Sequence, residues 1–172
     1  VFSSPNLNNE KQGVSFMKVD GFYKAGTNPI ESSVMANAII DFMRNNKDMS
    51  LGVVIMNLKQ RDLLLEEIEY AISHDSVASR YVEYWQSNND GLESFFVKNL
   101  ENVQGDERDV IFIGTVYGPE KEGAPVMQRF GPINGITGKR RLNVLFSRAK
   151  HKIITFSSMN SNDIKVKEGG NE

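Results

Sequence analysis

The sequence predicts an α/β domain of three layers, α/β/α, built on a mainly parallel sheet. Two apolar runs, 51–56 and 110–116, are continuous, as expected of strands that are covered on both faces. Amphipathic segments precede and follow these runs, so that strand and helix patterns alternate along the chain. This alternation is typical of sheets that carry helices on both faces.

The composition bounds the size and the class of the protein. The chain has 172 residues, of which 40% are hydrophobic, and this suffices for one domain with a buried core. The balance of 20 Lys and Arg against 22 Asp and Glu excludes a strongly basic domain that coats nucleic acid, although it is compatible with a local basic patch. The absence of cysteine excludes disulfides, thiolate metal sites and cysteine nucleophiles.

No segment of the sequence resembles a membrane span or a targeting signal. No apolar run approaches the ~20 residues that cross a bilayer, and the N-terminus has neither an initiator Met nor a signal-peptide pattern. We therefore expect a cytoplasmic piece of a longer protein, without contact to a membrane. The domain proper is predicted over 13–160, between a connecting segment at 1–12 and a polar tail or linker at 161–172.

The first predicted elements are a strand at 14–19 and a helix that begins after Asn28. Asn28 suits the N-cap, Pro29 the first helical position, and Glu31 the third, from which its side chain can reach back to the cap. The helix continues with one apolar face and fades in the polar run 44–48.

Two further helices are predicted after the strand at 51–56. The first is amphipathic and carries Leu64 on its apolar face, and the second lies within 76–89, with Trp85 as its anchor. A short strand is expected at 95–98, before the long strand that follows it.

A long loop separates the strand at 110–116 from the last predicted helix. Residues 118–138 contain five glycines and three of the five prolines. Loops of this length inside compact domains often have a function. We expect a helix over 139–150 and a final strand over 153–156.

The last predicted helix is strongly basic, with six positive residues and no acid between Lys139 and Lys152. On that helix Arg141 and Arg148 would lie along the same edge of the apolar stripe, roughly 10 Å apart. Two guanidinium groups fixed in this way suit phosphate binding, because each presents a planar fork of donors that stays charged. A solvated basic helix face is an equally compatible interpretation.

Two polar segments at strand ends are further candidates for a site. Segment 104–109 precedes a strand, and there Gly105 could let the backbone approach a ligand while Glu107 accepts hydrogen bonds from a ribose. Segment 57–61 follows a strand and opens a helix, a position that favours anions. An ordinary polar turn and a solvated first helical turn are the simpler interpretations.

Several signatures of catalysis and metal binding are missing from the sequence. The chain has no G-x-x-x-x-G-K-[ST] phosphate loop and no convincing carboxylate pair, so that we predict no metal site. Its two histidines, His74 and His151, are expected at a helix end and at a strand start, in structural roles.

Four segments together resemble the second RecA-like domain of superfamily 1 helicases, of the AAA_12 type. Residues 140–150 resemble helicase motif VI, whose pattern reads R-R-L-N-V-A-x-T-R-A, and residues 103–111 resemble motif V. Residues 52–61 resemble motif IV, and 28–31 match the first four positions of an N-x-x-E-A segment. The similarity covers roughly 14–158 and is closest to large prokaryotic helicase-related proteins, in which a nuclease-like domain often follows at the C-terminus.

The resemblance implies a motor that hydrolyses ATP with Mg²⁺ in a cleft between two RecA-like domains. The first domain, on the same chain, supplies the P-loop and the Mg²⁺ ligands, and the second supplies an arginine finger. Arg148 stands at the finger position, Arg61 at that of a second γ-phosphate contact, and Arg141 at that of a supporting contact. Such a domain is expected to be inactive alone.

The resemblance also implies two sets of binding residues. Those implied in ATP binding are, besides Arg141, Gln104, Gly105 and Glu107. Those implied in binding single-stranded DNA or RNA are Asn57, Lys98 and Asn99. The chain departs from the wider superfamily at Asn99, where Thr or Ser is usual, and at Glu101, where Asp is usual.

Two other functions are compatible with parts of the sequence. The alternative is a non-catalytic RecA-like module that binds nucleic acid or protein, and a P-loop upstream of Val1 would distinguish the motor from it. A nuclease is a third interpretation, but no Asp/Glu-x-Lys cluster after a strand supports it. The sequence leaves open DNA versus RNA, the polarity of movement, and unwinding versus translocation.

Overall fold

The computed structural model describes residues 13–165, which form an α/β domain around one sheet of five parallel strands. The strands are β1 Gly13–Lys18, β2 Leu51–Ile55, β3 Phe96–Asn99, β4 Arg108–Gly114 and β5 Ala149–Ser157. The helices are α1 Pro29–Asn45, α2 Leu58–Ser73, α3 Ser76–Ser87 and α4 Gly138–Phe146. The predicted fold class is confirmed; the connecting segment 1–12 and most of the predicted tail lie outside the described residues.

The strand order β1-β5-β4-β2-β3 determines which face each connection covers. The connections from β1 to β2 and from β2 to β3 run in one direction across the sheet, and those from β3 to β4 and from β4 to β5 run in the other. Because parallel crossovers are right-handed, α1, α2 and α3 share one face and α4 covers the opposite one. Accordingly α1, α2 and α3 contact one another, whereas α4 packs against the short turns Leu100–Asn102 and Gly131–Ile133.

The core is centred on β2 and β4, which pair with each other and lie, with β5, inside the sheet. Every residue of β2 is buried, as the continuous apolar run predicts. On the α1 side, the ring of Phe112 meets Phe42 at 5.7 Å and Phe156 at 5.3 Å between centroids. The predicted anchor of α3, Trp85, is also buried in this core. Within residues 13–165, no helix has the length and the apolar character needed to cross a bilayer.

The start of α1 confirms one half of the predicted capping and contradicts the other. Asn28 is the N-cap, and its side-chain oxygen accepts a hydrogen bond from the Glu31 N–H at 3.2 Å. The prediction that the Glu31 side chain reaches back to the cap is wrong. Its carboxylate instead accepts a hydrogen bond from the backbone N–H of Val116 at 2.6 Å, because that side chain is buried against the end of β4.

The last helix ends earlier than the predicted range 139–150. α4 stops at Phe146, with Ser147 as its C-cap, and Arg148 lies in the turn before β5. The backbone N–H of Arg108 donates to the Arg148 carbonyl at 3.0 Å, and Ala149 pairs with Arg108 in the sheet. Strand pairing therefore extends β5 backwards over residues that a helical pattern also fits, and the predicted shared helix edge for Arg141 and Arg148 is wrong.

The replacement Gly52→Ala is expected to lower the free energy of unfolding by about 1–3 kcal/mol. A Cβ atom on Gly52 would lie 2.5 Å from Phe96 Cζ and 2.8 Å from Ile111 Cδ1, so these two core side chains would have to move. Urea denaturation followed by circular dichroism measures the loss. Gly135→Ala is the control, since its nearest neighbour, the Pro132 carbonyl oxygen, is 3.8 Å away. Equal losses in both variants would contradict the proposed packing.

Candidate functional site

A buried hydrogen-bond network joins the first turns of α1 and α2 at the carboxyl edge of the sheet. The backbone N–H of Asn28 donates to Gln60 Oε1 at 2.7 Å, and Gln60 Nε2 donates back to the Asn28 carbonyl at 2.8 Å. Gln60 is itself the third residue after the N-cap Asn57, whose Oδ1 accepts its N–H at 2.8 Å. The two helix starts are therefore held together by their own capping residues.

The same network reaches the ends of three strands. Asn28 Nδ2 donates to the Val116 carbonyl, two residues beyond β4, at 3.2 Å and to Ser158 Oγ, next to β5, at 2.8 Å. Lys18, at the end of β1, donates from Nζ to the Ser158 carbonyl at 3.1 Å. Because these residues follow the carboxyl ends of their strands, the network fixes the edge where parallel sheets bind ligands.

Glu31 is the one carboxylate buried inside this network. Its side chain is fully covered, and this burial raises its pKa to about 7, although hydrogen bonds from Val116 and Ser158 work in the opposite direction. Its partner Val116 has a φ of 71°, in the left-handed region that a β-branched residue rarely adopts. The carboxylate thus holds a strained backbone position just after β4.

A groove opens at this edge between the ends of β2 and β3, and we name it the strand-end groove. Two of the three residues predicted for nucleic-acid binding, Asn57 and Asn99, lie in its wall. Tyr23, Lys59, Glu101 and Pro132 also line this groove. Asn99 is 5% exposed, and its Oδ1 has no hydrogen-bond partner within the described part of the chain. A buried amide oxygen in this state favours a ligand at the groove.

The third predicted nucleic-acid residue, Lys98, does not share this groove. It neighbours Asn99 in β3, and successive side chains of a strand point to opposite faces of the sheet. Lys98 Nζ forms an ion pair with Asp106 at 2.7 Å and lies 5.0 Å from the centre of the Phe96 ring. The structure therefore places its charge on the turn before β4 instead of beside Asn57.

A second groove brings together two of the residues predicted for nucleotide binding, Gln104 and Arg141. We name it the arginine groove. It is lined by Leu100, Glu101, Gln104, Thr137, Arg140, Arg141 and Val144. Arg141 forms an ion pair with Glu101 at 3.0 Å and donates from Nη1 to the Pro132 carbonyl at 3.1 Å. Its guanidinium is thus oriented by two partners and still one-third exposed.

The turn that precedes β4 carries Gly105 and Glu107. Gly105 has a φ of 92°, and no atom lies within 4 Å of the place where its Cβ would be. Glycine is required here by the backbone conformation, and the space beside it is open to a ligand. Glu107 Oε1 lies 3.9 Å from Arg148 Nη1, so the structure brings this predicted pair together from separate segments.

The Arg148 side chain is held by its own turn. Its Nε donates to the Val144 carbonyl at 3.0 Å, its Nη2 donates to Ser147 Oγ at 2.9 Å, and its side chain is 19% exposed. Arg61 is likewise engaged, in an ion pair with the adjacent Asp62. Arg61 lines neither groove. Both guanidinium groups are therefore held by their own domain.

Two residues important to this edge escape prediction from the sequence. Glu101 lines both grooves and orients Arg141, although in the sequence it stands out only as a departure from a helicase pattern. Glu31 looks like a local capping residue, because its contacts to Val116 and Ser158 come from distant segments. Among residues 13–165, no three His, Asp or Glu side chains cluster closely enough to hold a metal ion.

The family of this chain follows from its match to a known family model. The AAA_12 family model, described as an AAA domain, matches residues 6–160. The chain belongs to this family. AAA_12 is of the superfamily 1 helicase C-terminal type, so the predicted resemblance to that helicase domain is confirmed.

Curated relatives of this AAA_12 domain are named as helicases. It is 34% identical over 149 residues to an uncharacterized ATP-dependent helicase, MG140, of Mycoplasma genitalium, and 31% identical over 149 residues to the MG140 homolog of Mycoplasma pneumoniae. It is 24% identical over 121 residues to the ATP-dependent helicase upf1 of Schizosaccharomyces pombe. The matches cover 84%, 84% and 68% of this chain but only 12% of each relative.

The replacement Glu31→Gln is expected to flatten the pH dependence of stability. The folded-state pKa of Glu31, about 7, lies above its ordinary value of 4.5. Its contribution is therefore fully present below pH ~4.5 and is lost as the pH rises through ~7, by at most about 3 kcal/mol. Urea unfolding of both proteins from pH 5 to 8 should show that the variant gains on the wild type as the pH rises. A constant difference over this range would contradict the assignment.

Proposed function

We propose that this AAA_12 domain is the C-terminal motor domain of an ATP-dependent superfamily 1 helicase or translocase. It would act with a first RecA-like domain of the same chain on single-stranded DNA or RNA. Family membership and the names of the relatives support this function. The observation that carries it is the approach of Arg141 and Arg148 to the turn with Gln104 and Glu107, since these are the segments expected at a nucleotide.

The residues of the arginine groove and of the turn before β4 fit a nucleotide in their chemistry. In that turn the open backbone at Gly105 and the acceptor oxygens of Glu107 suit a ribose, and in the groove the one-third exposed guanidinium of Arg141 suits a phosphate. Gln104 lines this groove, and by its position in motif V it would couple the nucleotide site to the nucleic-acid track. When bound, ATP with Mg²⁺ supplies the phosphoryl group whose transfer to water drives movement; the P-loop and the Mg²⁺ ligands would belong to the first domain.

Arg148 is the candidate arginine finger. It would stabilise the charge that develops on the transferring phosphoryl group. To do so it must exchange the Val144 carbonyl and Ser147 Oγ for phosphate oxygens. A phosphate adds an opposite charge and can accept two parallel hydrogen bonds from one guanidinium, which the Val144 carbonyl and Ser147 Oγ do not offer, so a neighbouring phosphate favours this exchange. Arg61 would add a second phosphate contact after leaving Asp62.

The strand-end groove is the candidate track for the single strand. Asn57 and Asn99 contribute amide groups, Lys59 a positive charge and Tyr23 an aromatic ring. Amides and lysines bind phosphates and sugars, and aromatic rings stack on unpaired bases. Lys98 would contribute only after release from Asp106.

The alternative function is a non-catalytic RecA-like module that binds nucleic acid or protein. The engagement of Arg148 and Arg61 within their own domain favours it, because neither guanidinium projects freely. A phosphate loop in the preceding domain of the full-length protein distinguishes the motor from this module.

Purified residues 1–172 are expected to show no ATP hydrolysis above background, with or without a single-stranded oligonucleotide. The chain contains no phosphate-cradling loop, and this half of the site would supply only the finger and supporting contacts. A coupled phosphate-release assay measures the turnover. Turnover by this chain alone that Arg148→Ala abolishes would contradict the expectation, because it would show that residues 1–172 carry a complete active site.

In the full-length protein, Arg148→Ala is expected to lower kcat by about 10³- to 10⁵-fold with little change in the KM for ATP. A finger acts mainly in the transition state, so its loss affects turnover more than binding. Arg148→Lys should not restore the rate, because an ammonium group cannot make a forked contact with two oxygens. Steady-state kinetics measure both parameters.

Arg44→Ala is the matched control, because this arginine pairs with Asp41 and Asp75 near the far end of α1. It should leave kcat unchanged. If Arg148→Ala keeps the wild-type rate while Arg141→Ala or Arg61→Ala abolishes it, the finger is one of those residues. Normal hydrolysis by all three variants would overturn the motor function.

A further inference from the structure

We infer that Glu31 is a positioning residue for the strand-end groove: by fixing Val116 it sets the course of the segment that forms one wall of that groove. The inference rests on the proposed function, since it assigns Glu31 to the binding of the single strand. It makes no use of Glu31 as a ligand, because its carboxylate is covered by Val116 and Ser158.

The backbone of Val116 is held at both of its polar groups by the first turn of α1. Its N–H donates to Glu31 Oε1 at 2.6 Å, and its carbonyl accepts from Asn28 Nδ2 at 3.2 Å. A buried β-branched residue at a φ of 71° keeps that conformation only where its surroundings over-determine it. Removal of the carboxylate would leave the Val116 N–H buried without a partner, and the strained conformation would lose its main restraint.

The conformation of Val116 determines where Tyr117 goes. The Tyr117 ring lies 5.4 Å from the ring of Tyr23 and 5.4 Å from the ring of Phe130. Tyr23 is itself a wall residue of the strand-end groove, so that Tyr117 supports this wall from behind. A change of direction at Val116 would withdraw that support.

The segment after Val116 also connects the two grooves. Beyond Phe130 the chain reaches Pro132, which lines the strand-end groove beside Asn57. The Pro132 carbonyl accepts from Arg141, in the arginine groove. Glu31 therefore anchors one end of a segment whose other end is bonded to a residue proposed to contact ATP.

Length and charge of the Glu31 side chain can be tested separately. Gln keeps the length and the acceptor oxygen for the Val116 N–H but carries no charge. Asp keeps the charge but is one methylene shorter and cannot reach that N–H without movement of α1. A positioning role through the Val116 hydrogen bond predicts that Glu31→Gln is tolerated and Glu31→Asp is not.

The experiment measures ATP hydrolysis by the full-length protein against the concentration of oligo-dT and of oligo-rU of equal length. Glu31→Asp should raise the half-saturating oligonucleotide concentration at least tenfold, with the KM for ATP unchanged. Glu31→Gln should stay within twofold of the wild type. Asp41→Asn, an exposed acid on the same helix, is the matched control and should change neither value.

A second measurement keeps the inference testable if Glu31→Asp folds poorly. Val116→Gly adopts a φ of 71° without strain, so the segment should keep its native course even when the restraint is weaker. In the double variant Glu31→Asp/Val116→Gly the half-saturating concentration should therefore return toward the wild-type value, and hydrogen exchange at the amides of Tyr117 and Gly118, faster in Glu31→Asp, should slow again. No such rescue in a folded double variant, or an unchanged half-saturating concentration in folded Glu31→Asp, would overturn the inference.

Failure of the proposed function gives a different result. A wild-type full-length protein without nucleic-acid-stimulated hydrolysis would refute the motor, whatever the variants do. A stimulated wild type whose Glu31→Asp variant loses only thermal stability would leave the motor intact and reduce Glu31 to a structural residue.

Discussion

The buried hydrogen-bond network around Asn28 and Glu31 is the constraint on which the functional edge of this domain depends. Elements that are far apart in sequence meet there, and each contributes a donor or an acceptor that has no access to water. Buried networks of this kind are stabilising only when every member is satisfied, because an unpaired polar group in a low dielectric is costly. The loop directions beyond β2, β4 and β5 are therefore fixed together and cannot be adjusted one by one.

The chain order of the strands explains why two grooves arise side by side. β3 leads directly into the short turn Leu100–Asn102, and this turn places Glu101 between the two grooves. The chain then returns through Gly105 to β4, and α4 follows on the opposite face from α1. Arg141 from α4 meets Glu101 across this return, so one carboxylate neighbours both a proposed nucleotide contact and a proposed single-strand contact.

The sequence predicts the parts of this structure that depend on local pattern. The continuous run of β2, the cap at Asn28 and the anchor Trp85 all follow from residue type and spacing. The sequence does not predict the features that depend on contacts with distant segments of the chain. α4 ends before Arg148 because β4 pairs with the residues that follow, and the carboxylate of Glu31 leaves its own helix because an unpaired N–H lies nearby at Val116. Similarly, the alternation of β3 separates Lys98 from Asn99, which motif position alone places together.

Arg148 and Arg61 are bonded within their own domain, so the proposed catalysis requires these contacts to break first. A free finger would bind any nearby phosphate, but Arg148 is already bonded to the carbonyl and hydroxyl of its own turn, and it lies near Glu107. Only an acceptor that is stronger than these and correctly placed can draw the guanidinium away, and a phosphate presented by a closing neighbour domain meets both conditions. The resting contacts would then raise specificity, because hydrolysis would require closure in addition to nucleotide binding. If the strand-end groove and the arginine groove are coupled through residues 116–132, a bound single strand would favour the same closed state, and turnover would depend on nucleic acid.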